Sequence, residues 1–148
     1  MGQMETQERQ AWMGLLAKAP EGRVAELLGA RDGFGFEWLR KPEVGSVMIR
    51  GRMGGSGSAF NMGEMTVTRC ALKLEGGVVG HGYVQGRNKT DSEAAALVDA
   101  LMQTDQADAV RAKVLQPLEV AQTEMRAARA RKAAATKVDF FTLARGED

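Results

Sequence analysis

Apolar residues recur at helical spacing over the first thirty positions of the chain. A first helical segment is predicted from Glu5 to Ala17, and Pro20 opens a second one. The apolar positions of the two segments are Trp12, Leu15, Leu16, Val24, Leu27 and Leu28. Each set forms a stripe along one side of its helix, which is typical of a helix packed against a core. The pattern therefore predicts an N-terminal helical hairpin.

The middle of the chain alternates apolar and polar residues with a period of about two, which predicts β-strands. Four such segments cover residues 36–41, 44–53, 64–75 and 78–84. Turn residues separate them: Pro42 to Gly45, a glycine-serine run at 54–58, and Gly76-Gly77. Because the connections are short, we expect neighbouring segments to pair as an antiparallel meander.

Two of the predicted strands bear on what covers the sheet. In the second strand, Val47, Ile49 and Met53 share a face that we expect to be core. In the third strand, Met65 and Val67 lie on the face opposite to the apolar residues at 70, 72 and 74. Either both faces are covered, or a bulge near Arg69 switches the register. Cover of the second face by a partner is the interpretation that we prefer.

Helical patterns return in the last third of the chain. The sequence Thr90-Asp91-Ser92-Glu93 is typical of a capped helix start, and the apolar face that follows consists of Ala94, Leu97, Val98 and Leu101. A short helix is predicted from about Asp105 to Leu115, and Pro117 opens a last long helix that ends at about Thr136. The predicted fold is α+β: a single domain over residues 1–148, with an antiparallel sheet of about four strands, the helical hairpin and the C-terminal helices.

Composition narrows the function classes. A net charge of +1 and 5% aromatic residues argue against a dedicated nucleic-acid or anionic-membrane binder. One cysteine, Cys70, and one histidine, His81, exclude an intrachain disulfide and a zinc site built from several such ligands. No apolar run is long enough for a membrane span and the polar start lacks a signal-peptide core, so we expect a cytoplasmic protein.

Positive charge is concentrated locally. Residues 111–137 contain seven basic and two acidic side chains. The segment lacks the bulky apolar face of membrane helices and any stacking aromatic residue. We interpret it as a solvated face or as a surface for an acidic partner.

The glycine-serine run is the first candidate phosphate site. Glycine permits the positive φ angles that turn successive amide groups toward one anion. The candidate residues are Arg52, Gly54, Gly55, Ser56 and Gly57. The run lacks the Lys-Ser/Thr pair of a Walker loop, so a long hairpin loop or a hinge for subunit packing is the alternative.

The second candidate is the basic turn, residues 85–89, which precedes a predicted helix. Arg87 and Lys89 would add two positive charges to the unpaired amide groups of the helix N-terminus, which favours an anion there. A solvated basic loop, or an arginine paired with a partner's acid, is the alternative. In a regular meander the two candidate loops would lie on the order of 10 Å apart, a gap that a triphosphate could bridge.

The C-terminal residues 138–148 form a candidate docking tail. If the tail is extended, Phe140 and Phe141 point to opposite sides, so that one could pack on the domain and the other on a partner. Arg145 adds a charge nearby.

Four motifs carry a resemblance to a known family: RMGGSGSAFNMGEMTVTR, VQGRNK, ALVDALMQ and VDFFTLARGED, in this order. Over residues 9–147 the chain resembles the G subunit of the bacterial carbon-phosphorus lyase core complex, the PhnG family. The resemblance implies a role in phosphonate breakdown. In that family the G, H and I subunits, aided by an ATP-binding-cassette-like L subunit, replace the adenine of ATP with a phosphonate to give a ribose 1-phosphonate 5-triphosphate.

The resemblance also implies how the work is divided. It implies a scaffold or accessory subunit of a transferase complex, inactive alone and bound chiefly to the I subunit, with subunits H, J, K and L in the same assembly. ATP would be a substrate of the complex, and the iron-sulfur cluster and S-adenosylmethionine would belong to J, so that this chain holds no cofactor or metal. Two alternatives are a composite ATP or phosphonate site at a subunit boundary and a regulatory nucleotide-binding module.

Overall fold

The computed structural model describes the backbone of residues 2–30, 33–52 and 59–146, and the side chains of residues 6–30, 33–49 and 63–137. The elements in chain order are α1 (Gly2–Lys18), α2 (Arg23–Leu28), β1 (Phe36–Arg52), β2 (Ala59–Leu74), β3 (Val79–Gln85), α3 (Lys89–Leu101), α4 (Ala107–Val110), a π-helical turn (Arg111–Leu115) and α5 (Gln116–Gly146). This arrangement confirms the predicted α+β class.

The described strands form one antiparallel sheet in the order β1-β2-β3. The first two predicted strands are a single strand, β1, because Pro42 does not end it. Pro42 lies where the register shifts between Arg40 and Glu43, and β1 is an edge strand. Proline lacks the N–H group of a ladder, and an edge or a bulge tolerates that loss. The described sheet therefore has three strands where the sequence predicted about four.

In the described sheet the outer half of the β1–β2 hairpin, Ser46–Arg52 with Ala59–Thr66, has no third strand beside it; we call it the hairpin arm. Strand β3 pairs with β2 only between Val67 and Lys73. At about 3.3 Å per residue the arm extends about 25 Å from the three-stranded region. The prediction that the face of Val47, Ile49 and Met53 is core is wrong for Ile49, which is 39% exposed because the arm lies beyond the helices. Met53 lies outside the described residues.

Helix α3 packs on the face of the sheet that carries Cys70 and Leu72, and it is the centre of the core. Every residue from Ala94 to Leu101 is buried, including all four predicted apolar positions. The helix approaches β3 at Gly80 and Gly82, where an added Cβ would overlap the carbonyl oxygens of Ala96 and Ser92. The glycines of β3 thus permit contact with the backbone of a helix.

A buried carboxylate joins α1, α3 and the free edge of β3. Asp99 is fully buried, and its oxygens accept hydrogen bonds from Trp12 Nε1 at 2.8 Å and from the backbone N–H of His81 at 2.9 Å. Arg9 donates to both oxygens, at 3.1 and 2.8 Å. This hydrogen bond to Asp99 raises the pKa of the Arg9 guanidinium above its ordinary range.

Helix α5 is longer than predicted. It continues to Gly146, so the predicted end at about Thr136 is wrong. No proline follows Pro117 and no glycine precedes Gly146 within this helix, so nothing in the segment forces an end. Leu118 is buried, whereas every residue from 123 to 137 is exposed. The helix leaves the domain after its first two turns.

Candidate functional site

The basic turn is held rigidly at the end of β3. Gly86 has a φ of 100°, which glycine adopts without strain, and its N–H donates to the carbonyl of Thr66 at 2.9 Å. The Thr68 hydroxyl donates to the carbonyl of Gly86 at 2.7 Å. Arg87 is exposed on this anchored turn, and Lys89, the first residue of α3, is exposed next to it. The structure thus presents the two predicted cations to solvent.

Helix α3 begins at Lys89, the last residue of the basic turn, and its N-terminus is capped from within the chain. The side chain of Asn88 accepts a hydrogen bond from the N–H of Asp91 at 2.9 Å. The Asp91 carboxylate is buried in the first turn and accepts from the N–H groups of Gly22 at 2.6 Å and Ala25 at 3.1 Å, which cap α2. A negative charge therefore already occupies the first turn, and it weakens the attraction of this helix end for a second anion.

No ion pair within the described side chains engages Arg87 or Lys89. Both cations are free to bind a phosphate group or an acidic side chain of another chain. Exposed cations of this kind do not supply a nucleophile or a general base. The arrangement can hold an anion, and by itself it cannot carry out a reaction on it.

The strands that lead into the two predicted phosphate loops end far apart. Gly54, Gly55, Ser56 and Gly57 lie outside the described residues, and of Arg52 only the backbone, at the end of β1, is described. Arg52 pairs with Ala59, whereas Gln85 pairs with Val67, eight residues further along β2. The ends of β1 and β3 are therefore separated by about 25 Å, and the expected spacing of about 10 Å is wrong. The meander is correct, but β3 is much shorter than the hairpin beside it.

The three predicted docking residues of the tail, Phe140, Phe141 and Arg145, lie in the backbone of α5. Their side chains lie outside the described residues. Their role in docking stays a prediction.

His81 and Cys70, the other two residues with side chains suited to catalysis, both make hydrogen bonds that stabilise the fold. His81 is exposed, and its backbone N–H binds Asp99. Cys70 is buried, its thiol donates to the carbonyl of Ser92 at 3.2 Å, and burial raises its pKa. In the described part of the chain no group of three or more His, Cys, Asp or Glu residues is arranged to hold a metal ion. Across the same residues, no helix combines the length and apolar character that a membrane span requires.

Comparison with known proteins decides the family. The family model described as "Phosphonate metabolism protein PhnG" matches residues 7–146. The chain belongs to the PhnG family. This PhnG-family chain is also 43% identical, over 145 residues, to the "Alpha-D-ribose 1-methylphosphonate 5-triphosphate synthase subunit PhnG" of Rhizobium meliloti (strain 1021), and the match covers 95% of this chain and 91% of that protein. The resemblance drawn from the four sequence motifs is confirmed.

Two features of this PhnG-family chain were missed by the sequence reasoning. The network around Asp99 joins residues about 90 positions apart, and its one available signal is an aspartate inside the apolar stretch from Ala94 to Leu101. The hairpin arm was missed because its two strands look like ordinary sheet. The sequence signal for the arm is that its two strands carry apolar residues on both faces, while no third segment of matching length follows them.

Proposed function

We propose that this chain is a non-catalytic, scaffolding subunit of the synthase that builds an α-D-ribose 1-phosphonate 5-triphosphate from ATP and a phosphonate. The observation that carries the proposal is the hairpin arm. Met48 is 55% exposed on one face and Ile49 is 39% exposed on the other. A two-stranded ribbon of this kind is marginally stable in water without cover. A partner that encloses the arm would supply that cover.

The apolar residues on both faces of β2 support this interpretation. Pairing between β2 and β3 continues without a shift from Val67 to Lys73, so no bulge at Arg69 reverses the faces of β2. The helices of the chain cover the face that carries Cys70 and Leu72. The other face continues along the arm through Met65 and Val47, which are half-buried. A partner subunit on this face would account for its apolar character.

The division of labour follows from the side chains available. Displacement of adenine needs a group that handles the leaving base and groups that position two phosphorus-containing substrates. The anchored turn offers Arg87 and Lys89 for anion binding and nothing for acid-base chemistry. The cleavage of the glycosidic bond therefore falls to another subunit, and we assign it to the I subunit.

The same proposal assigns the partners and cofactors. Subunit I is the main binding partner, with H and J in the same core and the ATP-binding-cassette-like subunits K and L joined to it. ATP is a substrate of the assembly. The iron-sulfur cluster and S-adenosylmethionine serve the later carbon-phosphorus cleavage on J, and the whole assembly works in the cytoplasm.

Co-purification with the other subunits tests the scaffold role. The change Met48→Ser together with Ile49→Ser removes apolar surface from the arm without touching the core. We expect an unchanged melting temperature of the isolated chain and a loss of the I subunit from the purified complex. The matched control is Val120→Ser, because Val120 is an exposed apolar residue on α5, outside the arm. Full retention of the I subunit by the arm variant would contradict the proposal.

One observation favours a second function, a composite anion site at a subunit boundary. Arg87 and Lys89 are exposed, anchored and unpaired within the described side chains. ATP binding measured calorimetrically distinguishes the possibilities. Binding that requires added I subunit supports the composite site, binding by the isolated chain supports a nucleotide-binding module, and no binding in either case leaves the scaffold role alone.

A further inference from the structure

A small pocket lies between the end of α1 and the first half of α5. Its volume is about 160 Å³. Its apolar lining comprises Leu15, Ala19, Pro20, Leu118, Ala121 and Met125. A cavity of roughly 150 Å³ with an apolar lining accepts a molecule of the size of benzene. The pocket is thus large enough for one apolar side chain and too small for a nucleotide, which needs several hundred Å³.

Positive charge surrounds this pocket. Lys18, Arg126 and Arg129 contribute to its lining. None of the three forms an ion pair with a carboxylate among the described side chains. From residue 123 to 137 the helix is exposed and carries five basic side chains and one acid. Glu8 and Glu119 line a wider neighbouring cleft, which shares Lys18 and Arg126 with the pocket, but neither acid lines the pocket itself.

We infer that this pocket, with its three cations, is the docking site for an acidic segment of another synthase subunit that inserts one apolar side chain. The inference rests on the proposed function. An apolar anchor in the pocket supplies buried area, and flanking Asp or Glu residues of the partner complement Lys18, Arg126 and Arg129. Met125, which is 48% exposed, would be covered by the same segment.

A second copy of this chain fits the site less well. A symmetric dimer places the same surface patch of both copies against each other. Here that would bring two basic helices of the same sign together, and juxtaposed like charges oppose association. A different, acidic chain satisfies the pocket and the charges together.

Charge reversal within the complete complex tests the inference. Arg126→Glu places a negative charge on the pocket, whereas Arg131→Glu makes the same change on the same helix outside the lining. Both residues are exposed, so neither change should unfold the domain. With the tagged full chain and the co-expressed H, I, J, K and L subunits, we expect Arg126→Glu to weaken association about tenfold and to reduce its salt dependence, and Arg131→Glu to have little effect.

The outcomes separate this inference from the proposed function. If the unmodified chain captures no other subunit, the proposed function fails. If the unmodified chain captures them and the two variants behave alike, the function stands and the docking site is wrong. Dimerisation of the isolated chain that Arg126→Glu abolishes, or binding of a 20-nucleotide RNA that the same change abolishes, would also overturn the acidic-segment assignment.

Discussion

The guanidinium of Arg9 and the carboxylate of Asp99 meet side by side, with Nη2–Oδ2 at 2.8 Å and Nε–Oδ1 at 3.1 Å. This pair joins the N-terminal helix to the central helix across 90 positions of sequence. Trp12 and the edge of β3 bind the same carboxylate. Because Asp99 is fully buried, its charge depends on these donors and on Arg9 for stabilisation.

Asp99→Asn should therefore destabilise the domain. The amide cannot accept from all four donors, and it removes the counter-charge of Arg9. We expect a loss of about 3 kcal/mol in the free energy of unfolding, at the lower end of values for a broken buried pair because Arg9 can reach water. Urea denaturation measures it. The control is Glu26→Gln, which breaks the exposed Arg23–Glu26 pair at 3.0 Å and should cost less than about 0.5 kcal/mol. Equal losses of unfolding free energy in the two variants would contradict a stabilising role of the buried pair.

Gly80→Ala should separate α3 from the sheet. The added Cβ would overlap the Ala96 carbonyl oxygen and approach the Ala100 backbone, and neither group is a flexible side-chain end that can move away. We expect destabilisation by about 3 kcal/mol or more, the upper part of the range for overpacking. Gly14→Ala is the matched control, because among the described residues no atom beyond its own helix backbone lies within 4 Å of its Cβ position, and alanine favours a helix by up to about 1 kcal/mol. A Gly80→Ala protein as stable as the parent would disprove the close contact.

Cys70 should make the domain less stable at alkaline pH. Burial raises the pKa of the thiol above its ordinary value of 9.0, so above that pH the unfolded chain loses the proton before the folded one does. The stabilising contribution is complete below pH 9 and decreases as the pH rises toward the folded-state pKa. Thermal unfolding of the parent and of Cys70→Ala between pH 8 and 10.5 measures it. The difference in stability between the parent and Cys70→Ala should shrink as the pH rises. A difference that stays constant would show that folding does not raise the pKa of the thiol.

Loss of the two cations of the basic turn should affect function and leave the fold intact. Arg87→Ala with Lys89→Ala removes exposed charges, which changes stability by less than about 0.5 kcal/mol. We expect slower growth on methylphosphonate as the phosphorus source, because an anion contact or an inter-subunit ion pair is lost. Lys41→Ala with Lys73→Ala removes two exposed charges elsewhere and should grow normally. Normal growth of both strains would exclude a role for the turn.

Periodicity predicted the helices and most of the core because these features depend on local spacing. The stripe that begins at Ala94 is buried as expected, and of the N-terminal stripes only Leu15 and Leu27 are half-buried rather than buried. Pro42 was misread as a turn because its meaning depends on whether its strand is an edge, which is a property of the whole sheet. The end of α5 was misplaced because alanine-rich helices often end without a clear sequence signal.

The candidate site was predicted less well, and for a geometric reason. Arg87 and Lys89 are exposed on a turn before a helix, as expected. Their separation from the glycine-serine run depends on the lengths of β2 and β3, which the positions of the turns do not determine. The partner of Asp99 could not be predicted at all, since nothing local to Asp99 indicates Arg9.

The release of adenine from ATP in the presence of methylphosphonate tests the central claim most directly. Three preparations are compared: the isolated chain, the other synthase subunits without it, and the complete set. We predict adenine release from the complete set only, because this chain holds the assembly together and another subunit carries the reaction. Adenine release by the purified chain alone, or an undiminished rate without it, would contradict the claim.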